Sequence, residues 1–178
     1  GGVTFYDVAY PGNAVGGLGA GTGSVRYGEE ARISSSVLVG KSLKTWNVYL
    51  RRVGTSSGSV TAVVRRGSDD LVVATFNETI AASGLPTSFA ERTFTLTSPY
   101  VIQSGDRILV QYGGSGRVEM SAWTTDQVDG SNTRRVRYTG SSYIGANASD
   151  IAGSMSSGTG SGDTTPPVQV TGLAVTPA

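Results

Sequence analysis

Apolar and polar residues alternate along most of this chain in short runs. In TWNVYLRR, Trp46, Val48 and Leu50 fall on one side and Asn47, Tyr49 and Arg51 on the other. In RVEMSAW, Val118, Met120 and Ala122 form one row and Glu119, Ser121 and Trp123 the opposite one. A period of two belongs to a β-strand, whose successive side chains leave the backbone on opposite faces. Most of GGVTFYDVAY, SVRYGEEARISSSVLVG, SGSVTAVVRRGSDD, LVVATFNETI, ERTFTLTSPYVIQSGD, RILVQYGGSG and NTRRVRYTG follow the same rule, and Gly, Ser, Asp or Pro bound them. PGNAVGGLGAGTG lacks periodicity and reads as a Gly-rich loop. ASGLPTSF reads as one helical or irregular turn, and 150–155 as a short last strand.

Eight or more strands about a dozen residues apart, with no helical pattern between them, predict two antiparallel sheets packed face to face. The expected fold is an all-β sandwich, specifically a jelly roll. The alternation assigns Trp46 to core packing and leaves Trp123 on the solvent side. Tyr112 is in phase with Ile108 and Val110, so burial is its rival reading.

Composition narrows the chemistry. The 178 residues include 26 Gly, no Cys and no His. Without Cys there is no disulfide framework and no thiolate metal site. Without His there is no Ser-His-Asp or Cys-His machinery and no imidazole proton shuttle. No run approaches the roughly 18 apolar residues of a membrane span. The formal net charge is +1, and of the 14 basic residues only Lys41 and Lys44 are not arginine. That balance argues against nucleic acid as a partner. Arginine forms bidentate bonds to carboxylate and sulfate and stacks on planar faces, although Arg alternating along a solvated strand also simply keeps a sheet soluble.

The chain divides into a sandwich over 1–157, a Gly/Ser/Thr linker over 158–165 and a last segment over 166–178. In DTTPPVQVTGLAVTPA, the residues Pro166, Pro167, Val170, Thr171, Gly172, Leu173 and Val175 resemble the start of a fibronectin type III module. The body, from RYGEEARISSSVLVGKSLKTWNVYLRRVG through SGDRILVQYGG to DGSNTRRVRYTG, is similar in layout to carbohydrate-binding modules and to choice-of-anchor surface domains. These resemblances imply a secreted, extracellular, multidomain parent with attached catalytic and fibronectin type III domains. They also imply that this part is a non-catalytic module holding its parent on a polysaccharide, and a monomer is expected.

Sugar recognition needs aromatic rings for the C–H faces of pyranose units, with polar side chains around them for the hydroxyls. Trp123 leads the candidates, followed by Tyr49 and Tyr138, with Arg51, Arg65, Glu119, Arg135 and Arg137 as polar partners. A strip combining Tyr49, Arg51, Arg65, Arg135 and Arg137 on one sheet face would suit an acidic polysaccharide. Asp126, Asp129 and Asn132 are the candidate ligands of a structural calcium ion, and turn formation is their plainer reading. Asp69 with Asp70, and Glu29 with Glu30, are further oxygen pairs. Two alternatives stand beside the binding module. One is a structural or adhesive surface domain without a sugar site. The other is a glycosidase or polysaccharide lyase dependent on carboxylates or Tyr, for which Glu119 with Asp126 or Asp129 is an arithmetical pair.

Overall fold

The computed structural model describes residues 2–158. Residues 159–178, which hold most of the expected linker and the expected fibronectin-like segment, lie outside the described residues. The described chain forms β1 (Thr4–Val8), β2 (Ala14–Gly19), β3 (Arg26–Ala31), β4 (Ser42–Val53), β5 (Ser59–Arg65), β6 (Val72–Thr75) and β7 (Ile80–Ala81). After a 3-10 turn over Ala82–Gly84 come β8 (Ala90–Val101), β9 (Arg107–Tyr112), β10 (Arg117–Trp123), β11 (Thr133–Tyr138), β12 (Tyr143–Ala146), β13 (Asp150–Ile151) and β14 (Gly153–Ser156).

These strands make two antiparallel sheets. In the first, β4 pairs along one edge with β8, while β14 and β10 share its other edge end to end. The outer neighbour of β14 is β1, and that of β10 is β2. Strand β13 pairs with the last two residues of β10. The second sheet runs β12-β11-β3-β9-β5-β6, with β7 also on β5. From β2 to β5 and again from β7 to β11 every connection crosses to the other sheet, in the manner of a jelly roll. The expected antiparallel sandwich is therefore present.

The core lies where the inner rows of the sheets meet. Trp46, Val48 and Leu50 from β4 and Val118, Met120 and Ala122 from β10 are all fully buried, as their phase predicts. The Trp46 ring lies 6.0 Å from Phe76 and 6.2 Å from Phe94, and these two are 6.1 Å apart. Fully burying a side chain of this class contributes roughly 1.5–3 kcal/mol. Tyr112 is buried as well.

One expectation fails. The stretch expected to be a Gly-rich loop contains β2, which pairs with β10 from Ala14↔Ala122 to Gly19↔Arg117. Its inner row is Gly16 and Leu18, both buried. A Cβ on Gly16 would come within 2.7 Å of the Tyr27 ring, so the position has no room for a side chain that would reveal the alternation.

Candidate functional site

The outer face of the first sheet carries an open group of aromatic side chains. Tyr49 points outward from β4, opposite the core row of Trp46, Val48 and Leu50. Tyr10, from the β1–β2 connection, stacks on it with ring centroids 4.0 Å apart and planes 11° from parallel. Phe89 meets Tyr10 edge-on at 6.1 Å. Tyr10 keeps 40% of its surface exposed, which leaves aromatic area on this sheet face available to a flat partner. Burial, then Glu91 opposite it on β8, raises the Tyr49 hydroxyl pKa above its usual value.

Charge is organised beside the rings. The Arg51 guanidinium lies 4.3 Å from the Phe89 centroid and donates Nε and Nη2 to Oε1 of Glu119, at 2.9 and 2.7 Å. Arg117 donates Nε to Oε2 of the same carboxylate at 2.8 Å. Glu119 is only 5% exposed although its phase points it outward, because the two arginines cover it. With both oxygens held, Glu119 serves as an anchor for the two guanidinium groups. Further along the face, Thr93 donates to Oδ1 of Asn47, which donates to Oγ of Ser154. These groups provide hydroxyl and amide functions next to the rings.

Trp123 ends β10 on this same face, but it is not a free plate. Its Nε1 donates to the Ala9 carbonyl at 2.8 Å, and the half-buried ring packs on the core margin. It therefore helps fix the β1–β2 connection that presents Tyr10. Sequence reasoning missed Tyr10 and Phe89. The only local signal was an aromatic residue beside a turn former, Tyr10 before Pro11 and Phe89 shortly after Pro86.

The arginines expected together lie apart. Tyr49 and Arg51 are on the first sheet, whereas Arg65 on β5 and Arg135, Arg137 and Tyr138 on β11 belong to the second. Within β11 the phase separates them again. Arg134, Val136 and Tyr138 face outward, and Arg135 and Arg137 face the other sheet alongside Glu29 and Tyr27. The single strip is corrected to three separate places.

The outer face of the second sheet is a closed network. Glu30 accepts from Arg107 at 2.9 Å and Arg134 at 2.7 Å. Asp70 accepts from Arg26 at 2.9 Å and from the Tyr143 hydroxyl at 2.6 Å, with Arg65 at 3.7 Å. Arg107 lies 3.9 Å over the Tyr143 ring and Arg26 4.1 Å over Tyr138. The Tyr143 ring also packs on the buried Val63, Leu109 and Val136. Burial first, and the bond to Asp70 second, push its hydroxyl up to about 12. A depression of about 420 Å³ lies here, but guanidinium groups already cover the rings around it.

The acidic loop after β10 uses its oxygens locally. Asp126 Oδ1 accepts from the backbone N–H groups of Val128 and Gly130, both at 3.0 Å. Asp129 accepts from the N–H of Val37 at 2.7 Å and of Thr133 at 2.9 Å, and from the Thr133 hydroxyl at 3.0 Å. Asn132 contributes its backbone carbonyl, which accepts from Arg32 at 2.9 Å. Of the other oxygen pairs, Asp69 binds Arg66, and Glu29 and Glu30 point to opposite faces of β3. Among the described residues, no three acidic side chains converge as a metal site. Comparison of the chain with protein-family models, with curated proteins and with solved structures gives no match.

Proposed function

We propose that the domain is a non-catalytic carbohydrate-binding module that holds a secreted, multidomain parent protein on a polysaccharide. The observation that carries this reading is the Tyr10–Tyr49 stack, left open on the outer face of the first sheet beside Phe89 and Arg51. An exposed ring face suits the apolar side of a pyranose, and the neighbouring Arg51, Asn47 and Thr93 suit its hydroxyls. An open sheet face suits an extended chain better than a small molecule. The body's likeness to carbohydrate-binding modules and the fibronectin-like last segment support the same reading and its extracellular setting.

Affinity electrophoresis through a panel of neutral and acidic polysaccharides tests it. The protein is retarded by at least one polymer, and Tyr10→Ala with Tyr49→Ala weakens that binding about tenfold or more. Migration unaffected by every polymer would instead leave a structural or adhesive domain. Release of reducing sugar or of unsaturated product from the same panel would mark an enzyme.

A further inference from the structure

At the β3–β11–β12 edge of the second sheet lies a small cleft of about 100 Å³, lined by Tyr27, Arg135, Arg137, Ile144, Gly145 and Ala146. Two guanidinium groups project into this region from alternate residues of one strand, about 7 Å apart along the backbone. Neither takes part in an ion pair among the described residues. The carboxyl group facing Arg135 across the strands belongs to Glu29, which is turned inward to accept from the Ile151 N–H at 2.8 Å.

Both arginines lie beside neutral side chains. Arg137 Nη1 donates to the Ser24 hydroxyl at 3.2 Å. Arg135 lies 5.7 Å from the Tyr27 ring centroid, and its Nε is buried with no hydrogen-bond partner. Buried donors in folded proteins are nearly always paired, and the Arg135 Nε remains a donor that no protein acceptor uses. Burial raises the Tyr27 hydroxyl pKa, while the facing cations Arg135 and Arg137 draw it down, so all three groups share one electrostatic environment. Elsewhere in the fold, paired arginines converge on a carboxylate, as Arg107 and Arg134 do on Glu30. Here the same arrangement lacks its acid.

We propose that Arg135, Arg137 and Tyr27 form an oxyanion clamp that takes the carboxylate or sulfate group of an acidic polysaccharide. The assignment to a glycan rests on the binding-module reading, while the clamp itself rests on two neighbouring guanidinium groups with no carboxylate partner among the described residues. The cleft, at about 100 Å³ and open to solvent on one side, has room for a single oxyanion group. Forked N–H donors match carboxylate and sulfate geometry, and a half-buried site strengthens the attraction. Ile144, 44% exposed at the rim, offers apolar surface to the sugar ring that bears the charge.

The test uses the full chain and the variants Arg135→Gln, Arg137→Gln and Arg137→Lys, each checked for an unchanged β-sheet circular dichroism spectrum. Affinity electrophoresis is run with polygalacturonate, dextran sulfate, a neutral polymer from the panel and double-stranded DNA. Inorganic sulfate is titrated in a thermal melt. At least one acidic polymer is expected to retard the wild type, and each Gln variant to bind it about tenfold more weakly. Arg137→Lys retains charge but loses the fork, and is expected to fall between. Retardation equal in wild type and both Gln variants would overturn the proposal, as would equal retardation by DNA, which marks a non-selective cationic surface. Stabilisation by inorganic sulfate without retardation by either acidic polymer would confine the clamp to a free oxyanion and overturn the glycan assignment. The two readings separate cleanly. Loss of neutral-polymer binding only in Tyr10→Ala with Tyr49→Ala reports on the aromatic face, and loss of acidic-polymer binding only in the Gln variants reports on the clamp.

Discussion

Glu29 and Asp150 are both fully buried within the sandwich, close enough that each carboxyl shifts the pKa of the other. Glu29 Oε1 accepts from the Ile151 N–H, and Asp150 Oδ2 from those of Gln127 and Val128, which leaves Glu29 Oε2 and Asp150 Oδ1 without a hydrogen-bond donor. Burial, and then the neighbouring carboxyl, push Glu29 well above its usual pKa. Burial likewise raises Asp150.

The sign of the pH dependence follows. A carboxyl whose pKa is higher in the folded protein contributes stability that is complete below its unfolded pKa and is lost as pH rises through the folded one. Melting temperature therefore declines from mildly acidic towards neutral and alkaline pH. Glu29→Gln removes one titrating group while still offering a hydrogen-bond donor to Asp150, and flattens the decline. Thermal melts between pH 4 and 9 check this. A wild-type profile that rises over the same range would contradict it.

Trp123→Ala lowers stability by about 1–3 kcal/mol, because it removes packing at the core margin together with the bond to Ala9. It also weakens glycan binding, by releasing the connection that carries Tyr10. Trp123→Phe restores most of the packing and little of the hydrogen bond. Denaturant unfolding of both variants, read beside their electrophoretic mobility, separates the two contributions.

At Gly16, any side chain meets the Tyr27 ring. Gly16→Ala is expected to cost about 1–3 kcal/mol as an overpacked core position. Because Tyr27 lies beside Arg135 and Arg137, the same change weakens binding of acidic polymer while leaving the Tyr10–Tyr49 face intact. Equal loss of neutral and acidic binding would show that the substitution had unfolded the protein.

Asp129 accepts three hydrogen bonds and sits at a positive φ of 42°, a conformation Asp tolerates better than Ala. Asp129→Ala is expected to destabilise the fold by about 1–3 kcal/mol through these losses alone. With both Asp129 oxygens and one Asp126 oxygen already engaged by the loop itself, a melt unaffected by a calcium chelator is expected. A chelator-sensitive wild-type melt would return Asp126, Asp129 and Asn132 to the role of ion ligands.

The core rows of β4 and β10 could be read directly from the chain, because their alternation is written in residues large enough to bury. Strand β2 could not, since at Gly16 the side chain that would show the period is missing. Faces could be assigned only within a strand. Whether Arg51 and Arg135 share a face depends on strand order, which arises from contacts distant in sequence. The same limit hid the aromatic site, where Tyr10 and Tyr49 meet across 39 positions through a connection with no periodicity. The buried setting of Glu29 was equally hidden, because RYGEEA places two adjacent carboxylates in unlike surroundings and only packing distinguishes them.

The last described strand, β14, lies beside the first, with Ser156 opposite Thr4, and the Ser157 N–H donates to the Val3 carbonyl. Tension applied between these two ends would act across a single ladder rung at a time, peeling β1 from its neighbour instead of shearing the whole ladder at once. A domain loaded this way yields early, letting out slack before the tightly packed middle of the sandwich bears any force.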